Sequence, residues 1–196
     1  MMRLNYVANI LGNVFGVSIV RSSPRHSVRF AKKYFKGNPV TVVEVGTYKG
    51  IHAEDLFKHL NIKLLYVIDP WLETKSYRNN SPKVTQKVLS MAEIEMGKRL
   101  KNKPFIKIKK FSDDAADDIK ELVDFIYVDG DHSYEQAKKD MFNYWSKLKS
   151  GGIMAGHDIT NSYDDYGVAR AFFEFCSKFK LKPKVSRTDW WVVKEK

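Results

Sequence analysis

Residues 124–141 read DFIYVDGDHSYEQAKKDM, and this stretch decides the fold. The apolar run at 125–128 is too short for a helix and has the length and composition of a buried strand. The polar segment DGDHS (129–133) interrupts it. Beyond that, Tyr134, Ala137, Met141, Tyr144 and Leu148 recur at three- and four-residue spacing, which predicts one apolar helix face. Strand, polar loop and helix form the repeating unit of an α/β fold with a mostly parallel sheet.

The same unit recurs on either side. VTVVEV (40–45) reads as a strand, followed by a helix through Ala53, Leu56 and Phe57. A second strand at 64–68 ends in Asp69-Pro70. The long polar stretch 71–102 is expected to hold a helix through Val84, Val88 and Met91, and 105–108 is a third strand. Gly151-Gly152 opens a fifth strand at 153–156. The stripe Val168, Ala171, Phe172, Phe175, Cys176 and Phe179 then predicts a core-facing helix. Finally, 184–186 and 190–193 flank Arg187-Thr188-Asp189 and read as a hairpin. With no repeat and no low-complexity linker, the domain plan is an apolar helical extension at 1–24 and a single domain at 25–196.

Composition narrows the function classes. At 196 residues, 43% hydrophobic and 29% charged, the chain suits one globular domain and neither a disordered chain nor a membrane bundle. Its single cysteine, Cys176, forms no internal disulfide and no Cys-rich zinc site, so a cytoplasmic setting is expected. The formal charge of +11 comes from 26 Lys and only 8 Arg, a balance unlike that of nucleic-acid readers, which lean on bidentate Arg. An anionic small-molecule or glycan acceptor fits this charge better than nucleic acid. The segment LNYVANILGNVFGVSIV (4–20) is short for a membrane span and carries three Asn. It reads as an amphipathic helix that packs on the domain, on a second copy in a homo-oligomer, or on a membrane surface.

Ligands of open parallel sheets bind beyond the carboxyl ends of the strands. Here those exits are EVGTYKG (44–50), Asp69, Ser112-Asp113, DGDH (129–132) and His157-Asp158, all polar or acidic. Gly46 and Gly50 allow the turn and a close approach of ligand to backbone. Tyr48 stands where a dinucleotide fingerprint needs its second glycine, which disfavours a pyrophosphate and favours a phosphate-free adenosine. Asp69, 23 residues after Gly46, has the separation of a carboxylate accepting both ribose hydroxyls.

With VEVGTYKG (43–50), YVIDPW (66–71), FSDDAADDI (111–119), DFIYVDGDHSYEQAKKDM (124–141) and LKSGGIMAGHDI (148–159), the chain resembles class I S-adenosylmethionine-dependent methyltransferases. Within that class it is similar to the macrocin- and mycinamicin-type sugar O-methyltransferases and the cephalosporin hydroxylase-like proteins. The resemblance implies a Rossmann-like, seven-stranded, mostly parallel sheet with helices on both faces and an antiparallel strand in its C-terminal hairpin. It implies S-adenosylmethionine as cofactor, with Glu44, Gly46, Thr47 and Gly50 around its methionine part. Asp69 would hold the ribose, Trp71 would lie beside the adenine, and Ser112 and Asp113 would close over the adenine edge. Asp129 would serve both the cofactor site and a metal, with His157 and Asp158 as the remaining metal pair and His132 as general base.

The residue chemistry agrees independently of the family. Asp129 and Asp158 follow strands expected about 4.8 Å apart, so both carboxylates can converge on one divalent cation, magnesium or manganese. Neutral His132 would then take a hydroxyl proton. An imidazole ligand at His157 would favour manganese, iron or zinc over magnesium. The alternatives left open are a metal-independent methyltransferase and a basic RNA-binding or RNA-methylating protein.

Overall fold

The computed structural model describes residues 24–73 and 84–195. In chain order the elements are α1 (His26–Phe35), β1 (Val40–Val45), α2 (Ile51–His59), β2 (Ile62–Ile68), α3 (Gln86–Arg99), β3 (Phe105–Ile108) and the single turn α4 (Ser112–Ala115). They continue with a 3-10 turn (Ala116–Asp118), β4 (Val123–Val128), α5 (Tyr134–Trp145), β5 (Leu148–Gly156), α6 (Gly167–Lys178), β6 (Lys184–Ser186) and β7 (Asp189–Val193). The expected helical extension at 1–24 falls, except for Pro24, outside the described residues. Among the described residues, no helix is long and apolar enough to cross a membrane.

The seven strands form one sheet in the order β3-β2-β1-β4-β5-β7-β6. The first five run parallel, and the hairpin adds β7 antiparallel to β5 and β6 antiparallel to β7. This is the Rossmann-like α/β sheet that the sequence leads one to expect. Chain order reverses between β1 and β4, so a crevice opens at their carboxyl ends.

Both faces of the central strands are covered, which is why β1 is buried along its whole length. Val43, Val45, Ile126 and Val128 pack against α5 and α6 through Met141, Tyr144, Phe172 and Phe175. Val42, Phe125 and Tyr127 pack against α1, α2 and α3 through Ala31, Leu56 and Met96. Each such large side chain contributes about 1.5–3 kcal/mol by leaving water.

Some boundaries differ from the pattern-based expectation, for physical reasons. The helix expected through Val84, Val88 and Met91 is α3, but it is rotated: Leu89, Ala92 and Met96 face inward, and Met91 is 61% exposed. Its apolar residues lie on more than one side, so periodicity alone misplaced the stripe. Leu148 belongs to β5, not to the α5 face, because the helix ends at Trp145. The fifth strand begins at Leu148 and takes up Gly151-Gly152 within it, where the β4 pairing shifts register. Phe179 stands just past α6 and is 38% exposed rather than core. The hairpin turn is Arg187-Thr188, since Asp189 already pairs with Ser186.

Candidate active site

The crevice between β1 and β4 is built by close backbone contact. Asp129 N–H donates to the Val45 carbonyl at 2.8 Å. A Cβ on Gly46, whose φ is +85°, would lie 2.1 Å from the Asp129 carbonyl oxygen. Gly50, at φ +71°, likewise leaves no room for a Cβ beside Met96. Three non-glycine residues at strand exits are also left-handed: Tyr48 (φ 48°), Trp71 (43°) and Asp158 (59°). Each costs about 1–2 kcal/mol, a strain the packing around the crevice sustains.

On the cofactor side, Asp69 is buried and its carboxylate accepts Tyr48 N–H (2.9 Å) and Trp71 N–H (2.7 Å). Burial pushes its pKa up, only partly offset by these two donors. Trp71 is turned inward: it is 1% exposed and its indole N–H donates to the Tyr48 carbonyl at 2.9 Å. It therefore fixes the loop and presents no free face to an adenine. Thr47 is buried, and its hydroxyl lies 3.5 Å from the Glu44 carbonyl. Glu44 Oε1 lies 2.8 Å from His52 Nδ1, while Glu44 Oε2 is buried with no partner. Ser112 and Asp113 open α4 and are held by the Gln136 amide, at 3.0 Å from the hydroxyl and 2.9 Å from Asp113 Oδ1. The glycine cradle, the orphaned Glu44 oxygen and the carboxylate after β2 fit an adenosyl-amino acid.

Gln136 also donates to Asp140 Oδ1 at 2.9 Å, while Asp140 Oδ2 is buried and unpartnered. Burial raises the Asp140 pKa to about 7. The carboxyl ionises far more easily in the unfolded chain, so folding stability falls as pH rises from about 4 to about 7. Asp140→Asn should flatten this slope and add up to about 4 kcal/mol at pH 8. Urea unfolding from pH 5 to 8 checks it; parallel curves for the two proteins would refute a buried neutral carboxyl.

The second cluster gathers Asp129, His132 and Asp158, which can each offer one ligand atom within 4.8 Å of the others. His132 Nε2 lies 3.2 Å from Asp158 Oδ2 and 3.7 Å from Asp129 Oδ1. His157 Nδ1 is 2.9 Å from Asp158 Oδ2 and 3.9 Å from Asp129 Oδ1, so it orients Asp158 more than it faces the cluster centre. The family resemblance implied His157 as the third metal position; in the structure it is His132 that groups with the two carboxylates. Burial alone would raise the Asp129 pKa, but His132, Arg25 and His157 outweigh it and pull it down to about 2. Burial opposes protonation of His132, yet the neighbouring carboxylates of Asp129 and Asp158 prevail and raise its pKa.

Sequence inspection missed Arg25, Tyr127 and His52. Arg25 Nη1 donates to Tyr127 Oη (2.5 Å) and to Asp129 Oδ2 (2.9 Å), leaving Oδ1 turned to the histidines. His52 stacks on Tyr127 with centroids 4.1 Å apart. In the loop YDDY (163–166), which the sequence suggests lies on the substrate side, Asp164 accepts Tyr134 N–H at 2.7 Å and ties the loop to the start of α5, where the Ser133 hydroxyl accepts Gln136 N–H. None of Arg25, Tyr127 and His52 directly follows a strand, so the strand-exit rule had no reason to select them.

Against this geometry, residues 43–159, more than half of the chain, match the family model described as a methyltransferase domain. The chain belongs to this family. The methyltransferase is 28% identical over 137 residues to uncharacterized protein R132 of Acanthamoeba polyphaga mimivirus, covering 67% of this chain and 55% of the relative. It thus spans about half the length of the curated relative it matches. Among solved structures it is similar in fold to the N-methyltransferase NodS of Bradyrhizobium japonicum WM9 (TM-score 0.57, 15% identity, 87% and 94% of the two chains). It is also similar to the O-methyltransferase NovP (0.60, 16%, 86% and 78%). A Staphylococcus aureus structure proposed to be a caffeoyl-CoA O-methyltransferase gives 0.65 at 14% identity, covering 96% and 91%. The chain thus carries a methyltransferase domain built on a Rossmann-like sheet.

Proposed function

We propose that the methyltransferase transfers its methyl group to a hydroxyl of a sugar or other small hydroxylated acceptor, assisted by a divalent cation. The observation that carries this reading is the O, N, O donor cluster of Asp129, His132 and Asp158 beside the β1/β4 crevice. S-adenosylmethionine, when bound, supplies an electrophilic methyl group. A divalent cation held by Asp129 and Asp158 would fix an acceptor oxygen and lower the pKa of its hydroxyl. Two carboxylate oxygens suit magnesium or manganese.

The chain's own groups do the rest. Gly46 and Gly50 let the backbone approach the cofactor, and Glu44 Oε2 offers an acceptor to its ammonium group. Arg25 holds one oxygen of Asp129 and so aims the other. His132 Nε2 takes the hydroxyl proton, a role worth about 100- to 10,000-fold. Alignment of acceptor oxygen and methyl carbon then supplies much of the remaining acceleration.

A second reading, favoured by the position of Nε2 between the two carboxylates, makes His132 the third metal ligand. Titrating S-adenosylhomocysteine and manganese calorimetrically into wild type and His132→Gln separates the two. As base, His132 can be replaced with manganese affinity kept within a few-fold. As ligand, its loss should weaken manganese by about 100-fold or more. Absence of any manganese or magnesium binding to the wild type would remove the cation from the mechanism and leave a metal-independent enzyme.

A further inference from the structure

Several lysines of this chain are neutralised where they stand. Lys49, Lys58, Lys107, Lys109, Lys110, Lys138, Lys139 and Lys149 each lie within 4.0 Å of a carboxylate. Two segments instead gather exposed cations with no acidic residue among them. Helix α1 exposes Arg29, Lys32, Lys33 and Lys36, and residues 26–36 contain no acidic residue. The stretch KFKLKPKVSR (178–187) exposes Lys178, Lys180, Lys182, Lys184 and Arg187, again without a carboxylate. Among the described residues, none of these nine cations forms an ion pair.

The fold joins the two segments and seats both at the active site. Ser27 N–H and Oγ–H donate to Asp189 Oδ2 at 3.0 and 2.8 Å, and His26 Nδ1 lies 2.7 Å from Ser186 Oγ. Lys184 Nζ stands 4.1 Å from the Phe30 ring centroid, between the positions of Arg29 and Lys33 along α1. At one end of this surface Arg25, just before α1, grips Asp129. At the other, Thr188 in the hairpin turn accepts Ile159 N–H at 3.2 Å, and Trp190 donates to the His157 carbonyl at 3.1 Å, on either side of Asp158. The unpaired charge thus begins at the rim of the Asp129–Asp158 cluster and continues away from it.

We propose that this basic strip is the docking surface for an anionic glycan acceptor, whose charged groups the lysines and arginines hold while one hydroxyl reaches the site. The proposal rests on the O-methyltransferase reading for the fate of that hydroxyl. Charge complementarity selects the anion. Seven of the nine cations are lysines, which argues for a glycan over nucleic acid, whose readers lean on bidentate Arg.

The test uses the full chain and fluorescently labelled oligogalacturonate as the probe, with neutral dextran and oligo(U) RNA as comparisons, at about 20 mM salt where screening is weak. Oligogalacturonate should bind, dextran should not, and binding should weaken steeply with salt. The pairs Arg29→Glu with Lys33→Glu, and Lys184→Glu with Arg187→Glu, should each weaken it about tenfold or more, with S-adenosylhomocysteine affinity and melting temperature unchanged. Binding indifferent to both pairs, or absent for oligogalacturonate, overturns the proposal. Tighter, strip-dependent binding of RNA overturns the glycan assignment. Because S-adenosylhomocysteine is titrated on the same samples, failure of the methyltransferase site shows itself separately from failure of the strip.

Discussion

Asp129→Asn should lower methyl transfer by about a thousandfold or more and abolish saturable manganese binding. The carboxylate stands at the centre of the site: Oδ2 accepts Arg25, and Oδ1 faces both His132 and His157. An amide keeps the shape but removes the negative charge, so it cannot balance a divalent cation, and it presents N–H groups to Arg25 or to the histidines. Electron paramagnetic resonance titration of manganese gives the affinity without needing the natural acceptor. Circular dichroism melting verifies that the variant folds. Unchanged manganese affinity in a folded Asp129→Asn protein would take the β4 carboxylate out of the metal site.

Gly46→Ala should be nearly as damaging by a different route. The new Cβ meets the Asp129 carbonyl at 2.1 Å and carbon at 2.5 Å, both backbone atoms that no rotamer change can move. Overpacking costs about 1–3 kcal/mol and a left-handed alanine about 1–2 kcal/mol more. The melting temperature should then fall by roughly 4–20 °C. Because the clash pushes the β1 and β4 exits apart, S-adenosylhomocysteine binding should be lost even where the protein remains folded. Gly37→Ala, at φ +82° with nothing within 4 Å of the new Cβ, is the control that carries the dihedral strain without the clash. Equal effects of the two substitutions would mean that backbone strain, not the β1–β4 contact, governs the site.

The two clusters also explain why the crevice tolerates its strain. Asp158 keeps φ 59° because its carbonyl accepts Asn161 N–H at 2.9 Å and its carboxylate engages His157. Trp71 keeps φ 43° because Asp69 holds its N–H and its indole is bonded to Tyr48. A residue that stiffens a strand exit in this way leaves little mark on sequence periodicity.

Local sequence determined the alternation of strands and helices, and with it the parallel sheet, because apolar runs of four to seven residues and stripes at helical spacing each have one favourable way to bury. It also placed Gly46, Asp69, Asp129 and Asp158 at strand exits, since a polar residue directly after a buried strand needs only chain order to be located. Tertiary structure alone decided what these residues touch. The inward turn of Trp71, the approach of His132 to Asp158, and the grip of Arg25 on Asp129 from 104 positions away join residues that no spacing links. The rotation of α3 belongs here too, because a helix with apolar side chains on several faces is oriented by the sheet it packs against. The same holds for the unpaired basic strip: composition records an excess of lysine, but only the packing of α1 on the C-terminal hairpin shows which cations lack a carboxylate and that they start at the active-site rim.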